Sequence, residues 1–541
     1  MRKVYALILT LLVVQAVPAQ SFSWVKHINQ TPNPNLPNEL DIYDVKYSAI
    51  GNIFITGSYK SNFQIDGGVN YPGFPDSSST KADIFLIKLD SNGDIKWVKT
   101  MGSPEGDLPE AIEIDNNENI YLTGRFQGVC DFGSGLYLTS SGGFDSFISK
   151  YNSSGEIQWV TNTAYGTAED RTNSITLGFD GNLYTTGLSK SSTFYVGDGT
   201  IQDIYTNPDA KTDLFLASYT TSGTYRWSKQ IPGNNNSSIF RAIACDEQNN
   251  LYVGGALAGT LTIDGIDYTS AGNGDIILMK AHPTDGSAIW VRKGGSTADD
   301  QLNSIAVNDN FAYLIGYIQG TGTIDSTATL QSSQFKTTGG NDIFLAKYNL
   351  EGRLLWKKTL GSTGADVGYG LNTINNILVA TGYFSNTLNF NLSSITSGGG
   401  MDAAFFVFDV ESNAVLAKSV SGTLEDRGQG VALDSSYNAY LGGYFMSSTL
   451  SVGTTTLTNS ASTFKDLFLA KYHNEFAAAF TNKKNVTCNG GSNGELTVTP
   501  YFGTPPYTFT WKLNGNPYAE TDSAITNLGV GTYEVTVTDY L

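Results

Sequence analysis

Histidine is almost missing from this chain: His27, His282 and His473 are the three present in 541 residues. They have no metal-ligand spacing among them, and a zinc centre needs three or four converging ligands. Cysteine is as scarce, and Cys130, Cys245 and Cys488 cannot make a disulfide framework. Cys245, in Arg241-Ala-Ile-Ala-Cys-Asp246, aligns with Ile114 elsewhere in the chain and reads as a small core hydrophobe. Cys130 has no evident partner. Charged residues make up only 15% of the chain, and long helical periodicity is absent after the first twenty residues. Abundant Gly, Ser, Thr and Asn point instead to many short strands joined by polar turns.

Long apolar runs are lacking as well, with one exception. Arg2 and Lys3 precede Val4 to Val17, an almost unbroken apolar stretch, and Val17-Pro18-Ala19 follows as a small-residue cleavage site. Residues 1–19 therefore read as an export signal that leaves Gln20 first in the mature chain. No later segment reaches the roughly 18 residues a membrane span requires. No Cys follows the cleavage site, which argues against a lipid anchor. The expected location is secreted or at the cell surface. The net charge of −18 argues against nucleic acid and anionic membranes as partners, because affinity for polyanions comes from Lys and Arg neutralising phosphates.

What the chain has is a repeat. The phrase Asp83-Ile-Phe-Leu-Ile-Lys-Leu-Asp90, then Gly93, then Trp97-Val98-Lys99 returns with its opening Asp at Asp145, Asp213, Asp275, Asp342, Asp402 and Asp466. The unit is about 64 residues, a period that belongs to repeat architectures. Each unit holds four strand-like runs, such as 110–115, 119–124, 145–151 and 156–160, with a connection of about twenty residues between the second and third. Four antiparallel strands at this period describe propeller blades; a linear β-solenoid is the alternative. The chain ends discriminate between them. Asp466-Leu-Phe-Leu-Ala-Lys-Tyr472 has no Trp strand after it, and Ser23-Trp24-Val25-Lys26 has no Asp strand before it. Pairing the two completes one blade and closes a ring of seven, with inner strands starting near Ile42, Glu110, Asn173, Arg241, Asn303, Gly368 and Gly430. Trp24, Trp97, Trp159, Trp227, Trp290 and Trp356 mark the outer strands. Leu416 stands at the remaining position, so the mark reads as packing rather than chemistry.

Phrases such as Asp-Ile-Phe-Leu-Ala-Lys-Tyr, Gly-x-x-x-Trp-x-Lys and Asn-x-Tyr-x-Thr-Gly resemble the SBBP-type β-propeller repeats of exported bacterial proteins, over roughly residues 22–473. That resemblance implies a propeller and no single activity. After a connector at 474–482, the segment 483–541 carries Cys488-Asn-Gly-Gly491 and Val535-Thr-Val-Thr-Asp539. Leu496, Val498, Tyr507, Phe509, Trp511, Tyr533, Val535 and Val537 alternate along it, which suggests a small β-sandwich. It resembles the SprB-type adhesin repeat of gliding Bacteroidetes. In that family the Cys of the opening phrase is commonly matched by one just after the closing phrase. Here the sequence stops at Leu541, so Cys488 is expected to be half of a disulfide, the Ig-like module to be incomplete and the natural protein to continue.

Catalytic constellations are hard to find. Gly490-Gly-Ser-Asn-Gly494 matches G-x-S-x-G but precedes a strand, whereas a nucleophile elbow needs a helix, a His and an acid. His27 and His473 would approach each other in the closing blade as polar residues at strand ends. Sialidase-type Asp boxes fail on spacing, and arginines are few. The Gly-x-x-x-Trp-x-Lys phrase is only loosely like that of quinone-dependent dehydrogenases. Asp107, Asp170, Asp300, Asp366 and Asp426 recur five residues before the centre of an inner strand. They are either a carboxylate ring able to hold Ca²⁺ or a polar ligand, or acceptors for backbone N–H groups in the turns between blades. The favoured reading has no required cofactor. It is an all-β, non-catalytic adhesion protein, a monomeric propeller within a longer surface protein, that recognises extracellular protein or glycan. A carbohydrate-active hydrolase or lyase with its site in the channel is the alternative.

Overall fold

The structure is a computed structural model. It describes residues 22–30, 39–72, 81–308, 310–324, 333–390, 393–411, 414–459, 464–473, 477–487, 490–502 and 506–538. The expected export signal and Cys488 lie outside these residues. Every regular element among the described residues is a β-strand, and none is a helix long and apolar enough to cross a membrane. The chain divides into two compact units. One comprises Phe22–Ser435 and Ala439–Lys471; the other is built mainly from the C-terminal Tyr472–Leu541.

Among the described residues, the larger unit is organised around the inner strands Leu40–Tyr47, Leu108–Ile114, Asp170–Leu177, Ile239–Cys245, Gln301–Asn308, Val367–Ile374 and Asp426–Leu433. Each opens a four-stranded antiparallel arrangement. In the second, Leu108–Ile114 pairs with Ile120–Phe126, which pairs with Asp145–Tyr151 and then Ile157–Asn162. Each inner strand packs against the next, and Asp426–Leu433 returns to Leu40–Tyr47, so the ring closes as a β-propeller. The core lies between neighbouring sheets: one cluster joins Tyr184 and Leu216 of the third sheet to Val253 and Ile277 of the fourth. Third strands such as Asp83–Asp90 are buried on both faces, which explains their unbroken apolar runs.

Closure uses both parts of the chain that lacked a partner. Phe22–Gln30 lies beside Asp466–Tyr472 as the outer strand of the last sheet, so neither remains an open edge. His27 does not meet His473; its Nε2 lies 2.9 Å from Asp466 Oδ2, within the closing pair.

The recurring tryptophans do more than pack. Each indole N–H donates to a carbonyl in the turn between the third and fourth strands of the next sheet. Trp24 reaches Ser91 O at 3.1 Å, Trp97 reaches Ser153 O at 3.1 Å, and Trp159 reaches Thr221 O at 3.3 Å. Trp227, Trp290 and Trp356 do the same to Pro283, Leu350 and Val410. A lysine of the same sheet often shares the acceptor: Lys88 on Ser153, Lys150 on Thr221, Lys280 on Leu350, Lys347 on Val410 and Lys471 on Ser91. The turn packs closely on the indole, and Gly155, at φ 74°, has no room for a side chain: a Cβ there would sit 2.7 Å from Lys99 and 2.9 Å from Trp97. Leu416 then has a specific explanation. The turn its sheet would clasp does not exist, because the next sheet takes its third and fourth strands from opposite parts of the chain. Val407 stands where the lysine would be, so both donors are gone where there is no acceptor.

The connection between second and third strands is not a plain loop. It forms a hairpin, as in Val129–Asp131 with Tyr137–Thr139 and Thr260–Ile263 with Ile266–Thr269. Alternating apolar residues such as Leu261 and Ile263 turn inward, and the hairpin reaches the preceding sheet through bridges such as Gly102↔Asp131 and Gly233↔Leu261. Cys130 is buried in one of these hairpins, and Cys245 is half-buried at the end of an inner strand; neither forms a disulfide.

Among the described residues, the C-terminal unit has two three-stranded sheets, Ala477–Lys484 with Gly494–Tyr501 and Ala524–Leu528, and Asn516–Tyr518 with Thr508–Leu513 and Tyr533–Thr538. Its core holds Leu496, Val498, Trp511, Tyr533, Val535 and Val537, with Tyr507 and Phe509 packed against it. The expected connector at 474–482 needs correction. Ala477–Lys484 is the first strand of this unit, and Phe480 packs beside Trp511 at a ring separation of 6.2 Å, which gives the segment a reason to be ordered.

Candidate functional site

Every inner strand carries a β-bulge at the same place. Pairing with the second strand slips between Ile42 and Asp44, Pro109 and Ala111, Thr172 and Ser174, Phe240 and Ala242, Leu302 and Ser304, Gly368 and Gly370, and Gly428 and Gly430. A bulge adds one unpaired residue and re-aims its side chain. The seven added residues are Tyr43, Glu110, Asn173, Arg241, Asn303, Tyr369 and Gln429, and all line the central channel. Equivalent backbone positions thus present a phenol, a carboxylate, amides and a guanidinium. The scaffold is regular; the surface it offers is not.

One mouth of the channel is a cavity of about 530 Å³, where Asp41, Arg171, Gln301 and Tyr317 join this ring. A cavity of about 290 Å³ continues along the inner strands. Arg125 Nε stands 3.8 Å from Glu110 Oε1, and Arg125 Nη1 donates to Glu169 at 3.0 Å. Lys190 also donates to Glu169, at 2.6 Å. Burial raises the Glu110 carboxyl, against the opposing pull of Arg125, Arg171 and Arg241. Burial raises Asp41 too, although Lys465 donates to both its oxygens at 2.8 and 3.1 Å. Asn173 and Asn303 donate across to the next inner strand, at Phe240 O and Gly368 O, 2.8 Å each. Tyr317 donates to Asp299 at 2.8 Å, and Tyr369 accepts from Arg427 at 3.0 Å. Arg241 is exposed to the channel with no hydrogen bond or ion pair among the described residues.

The five recurring aspartates stand three residues before each bulge; Leu40 and Ser238 occupy the two other positions. Each of the five is fully buried. Asp107 accepts from Ser103 Oγ at 2.7 Å and Gln127 N at 3.2 Å, and Asp170 from Ser191 Oγ at 2.9 Å. Asp300 accepts from Gln319 N at 2.7 Å, Asp366 from Ser362 N at 2.6 Å and Ser385 N at 2.9 Å, and Asp426 from Ser447 Oγ at 2.8 Å. They fasten the turn that enters a sheet to the end of its second strand. Burial pushes Asp107 and Asp170 up to about 7, with Asp145 of the preceding sheet adding to the rise at Asp170. No group of three or more His, Cys, Asp or Glu is placed to hold a metal ion among the described residues.

Sequence reasoning misses the channel ring. It places four of the members, Glu110, Asn173, Arg241 and Asn303, at strand starts and gives them no role. The available signal is positional: the variable residue two places before each inner-strand centre.

Residues 481–516 match the SprB repeat family. Over 454 residues the chain is 24% identical to an uncharacterized WD repeat-containing protein, L264, of Acanthamoeba polyphaga mimivirus, covering 68% of this chain and 32% of that one. It is also similar to the regulatory protein FlaEY of Caulobacter vibrioides, 25% identical over 313 residues, 55% of this chain and 31% of the other. The chain thus spans about a third of the length of these curated relatives. Among solved structures, it is similar to the WD40 domain of Neurospora crassa Pan2, with a TM-score of 0.40, 6% identity and coverage of 83% of this chain and 96% of that one.

Proposed function

We propose that this chain is an exported, non-catalytic binding protein of the bacterial cell surface. It is built as an SBBP-type seven-bladed β-propeller followed by an Ig-like adhesin module of the kind found in gliding Bacteroidetes. The observation that carries the reading is the SprB repeat at 481–516 on the same chain as a closed propeller. The apolar N-terminal run with its cleavage site supports export, and the chemically varied channel supports recognition of a polar extracellular partner, glycan or protein. The purified chain is expected to bind glycans or cell-surface material on an array or in a cell-binding assay. Absence of binding to both refutes the reading.

A second reading, a carbohydrate-active hydrolase, draws on one pair of residues. Glu110 and Asp41 line the same mouth and both carboxyls are raised by burial, a condition found at acid–base sites. Turnover of a glycoside by the wild-type chain, lost in Glu110→Gln, would establish the enzyme and displace the non-catalytic assignment.

A further inference from the structure

Four of the chain's eight arginines, Arg125, Arg171, Arg241 and Arg427, gather around one mouth of the channel, in a protein whose net charge is −18. Two of them stand out. Arg241 is exposed on the channel wall and makes no hydrogen bond among the described residues. Arg171 comes no nearer than 3.9 Å to the carboxylate of Glu169, and its buried Nε has no hydrogen-bond partner among the described residues. Burial disfavours the charged Arg171, and the like charges of Arg125 and Arg241 add to it, against the favourable pull of Glu110 and Glu169. Arg241 with no bonded counter-charge, beside Arg171 whose nearest carboxylate is 3.9 Å away, makes a site for an anion. Their planar forks match a carboxylate through two parallel hydrogen bonds.

The rest of the mouth narrows the choice. Glu110 accepts hydrogen bonds and would repel an anion with no other features, so the ligand must also offer donors. Gln301 and Gln429 add amides, and Tyr317 and Tyr369 add rings. The lining suits a hydroxylated ring as well as a charge. The cavity of about 530 Å³ falls within the range of small-molecule sites and has room for a sugar residue.

We propose that this mouth binds a carboxylate-bearing sugar, with Arg171 and Arg241 on the carboxylate and Glu110 accepting from ring hydroxyls. The site rests on the reading of the propeller as a binding scaffold and names the class of ligand it takes. Uronic acids and sialic acids share this chemistry.

Calorimetric titration of the full chain tests it, using galacturonate, glucuronate and N-acetylneuraminate, with glucose, N-acetylglucosamine and inorganic sulfate as controls. At least one acidic sugar is expected to bind, and the preferred one separates uronate from sialate. Neutral sugars and sulfate are expected to bind at least tenfold more weakly. Arg241→Gln is expected to weaken the acidic sugar at least tenfold, and Arg241→Lys to recover only part of that loss because it lacks the fork. Arg241 is exposed, so an unchanged melting temperature in these variants separates lost binding from lost folding. No binding of any acidic sugar, equal binding of sulfate, or an unaffected Arg241→Gln variant overturns the site. If the wild type or Arg241→Gln still attaches to cell-surface material while no acidic sugar binds, this site falls and the adhesion reading stands. If an acidic sugar binds but the chain attaches to neither glycan arrays nor cells, the site stands and the adhesion reading falls.

Discussion

Trp24 and Lys471 come from opposite parts of the chain and donate to one carbonyl, Ser91 O, at 3.1 and 3.3 Å. Together they clasp the first sheet to the closing one, and a double-mutant cycle can weigh that clasp. Trp24→Phe keeps a ring beside Tyr440 and removes one donor, a net loss of about 0.5–1.5 kcal/mol. Lys471→Met removes the other donor and a cation–π contact to Tyr440, 5.4 Å from the ring centre, for about 1–2 kcal/mol. Either variant leaves the Ser91 carbonyl bonded, whereas the double variant leaves it with neither side-chain donor. The double loss should therefore exceed the sum of the single losses by about 1 kcal/mol. Chemical denaturation gives the four stabilities. Hydrogen exchange should show Phe22–Gln30 opening before the central sheets, because it joins its sheet from the opposite part of the chain to its neighbour Asp466–Tyr472 and is otherwise paired only with the short strand Phe63–Ile65. Additivity within about 0.3 kcal/mol, or Phe22–Gln30 exchanging no sooner than the central sheets, refutes the shared clasp.

Three further outcomes follow from the same geometry. Asp107 and Asp170 are pushed up to about 7 and Asp145 to about 6, all chiefly by burial, against about 3.9 in an unfolded chain. The folded state prefers their protonated forms; this stabilisation is full below about pH 4 and is lost as pH rises through about 6–7. Denaturation midpoints should therefore be higher at pH 5 than at pH 8, and Asp170→Asn should flatten the difference; a higher midpoint at pH 8 contradicts the argument. Leu416→Trp should fail to stabilise, because its sheet has no turn to clasp, while Trp97→Leu should cost about 2–3 kcal/mol by denaturant melts. Equal effects would mean that the indoles act through packing alone. In the C-terminal unit, Trp511 is fully buried and donates to Asp522 O at 3.0 Å, so Trp511→Ala should cost about 3–5 kcal/mol in that unit's unfolding, read by its near-ultraviolet circular dichroism.

Much of the scaffold is legible because it is written locally and repeatedly. Asp145–Tyr151 shows in one phrase its opening acid, its two-faced apolar run and its pairing length, and the phrase returns at intervals that only a repeat explains. The unmatched strands at Trp24 and Asp466 reveal the closure because each lacks what the other supplies. The hairpins between second and third strands are less legible: Val129–Asp131 and Tyr137–Thr139 are too short and too mixed to announce themselves. The strand at Ala477–Lys484 reads as a connector because alanines carry little strand signal until Phe480 meets Trp511.

The sequence alone determined the period and the strand content, since these depend on side-chain alternation and turn residues within a few positions of one another; the closure followed from two unmatched phrases, and the neighbouring SprB repeat from its likeness to a known family. The tertiary structure decided the rest. Tyr43, Glu110 and Arg241 lie more than sixty residues apart in turn and share no residue type; each is one bulged position in an otherwise ordinary strand. Only closing the ring brings them to one channel, and only there does Arg241 find itself beside Arg171 with no protein anion bonded to it among the described residues. The tryptophans changed meaning for the same reason. Their spacing is visible in the chain, but the carbonyl each one holds belongs to the next sheet.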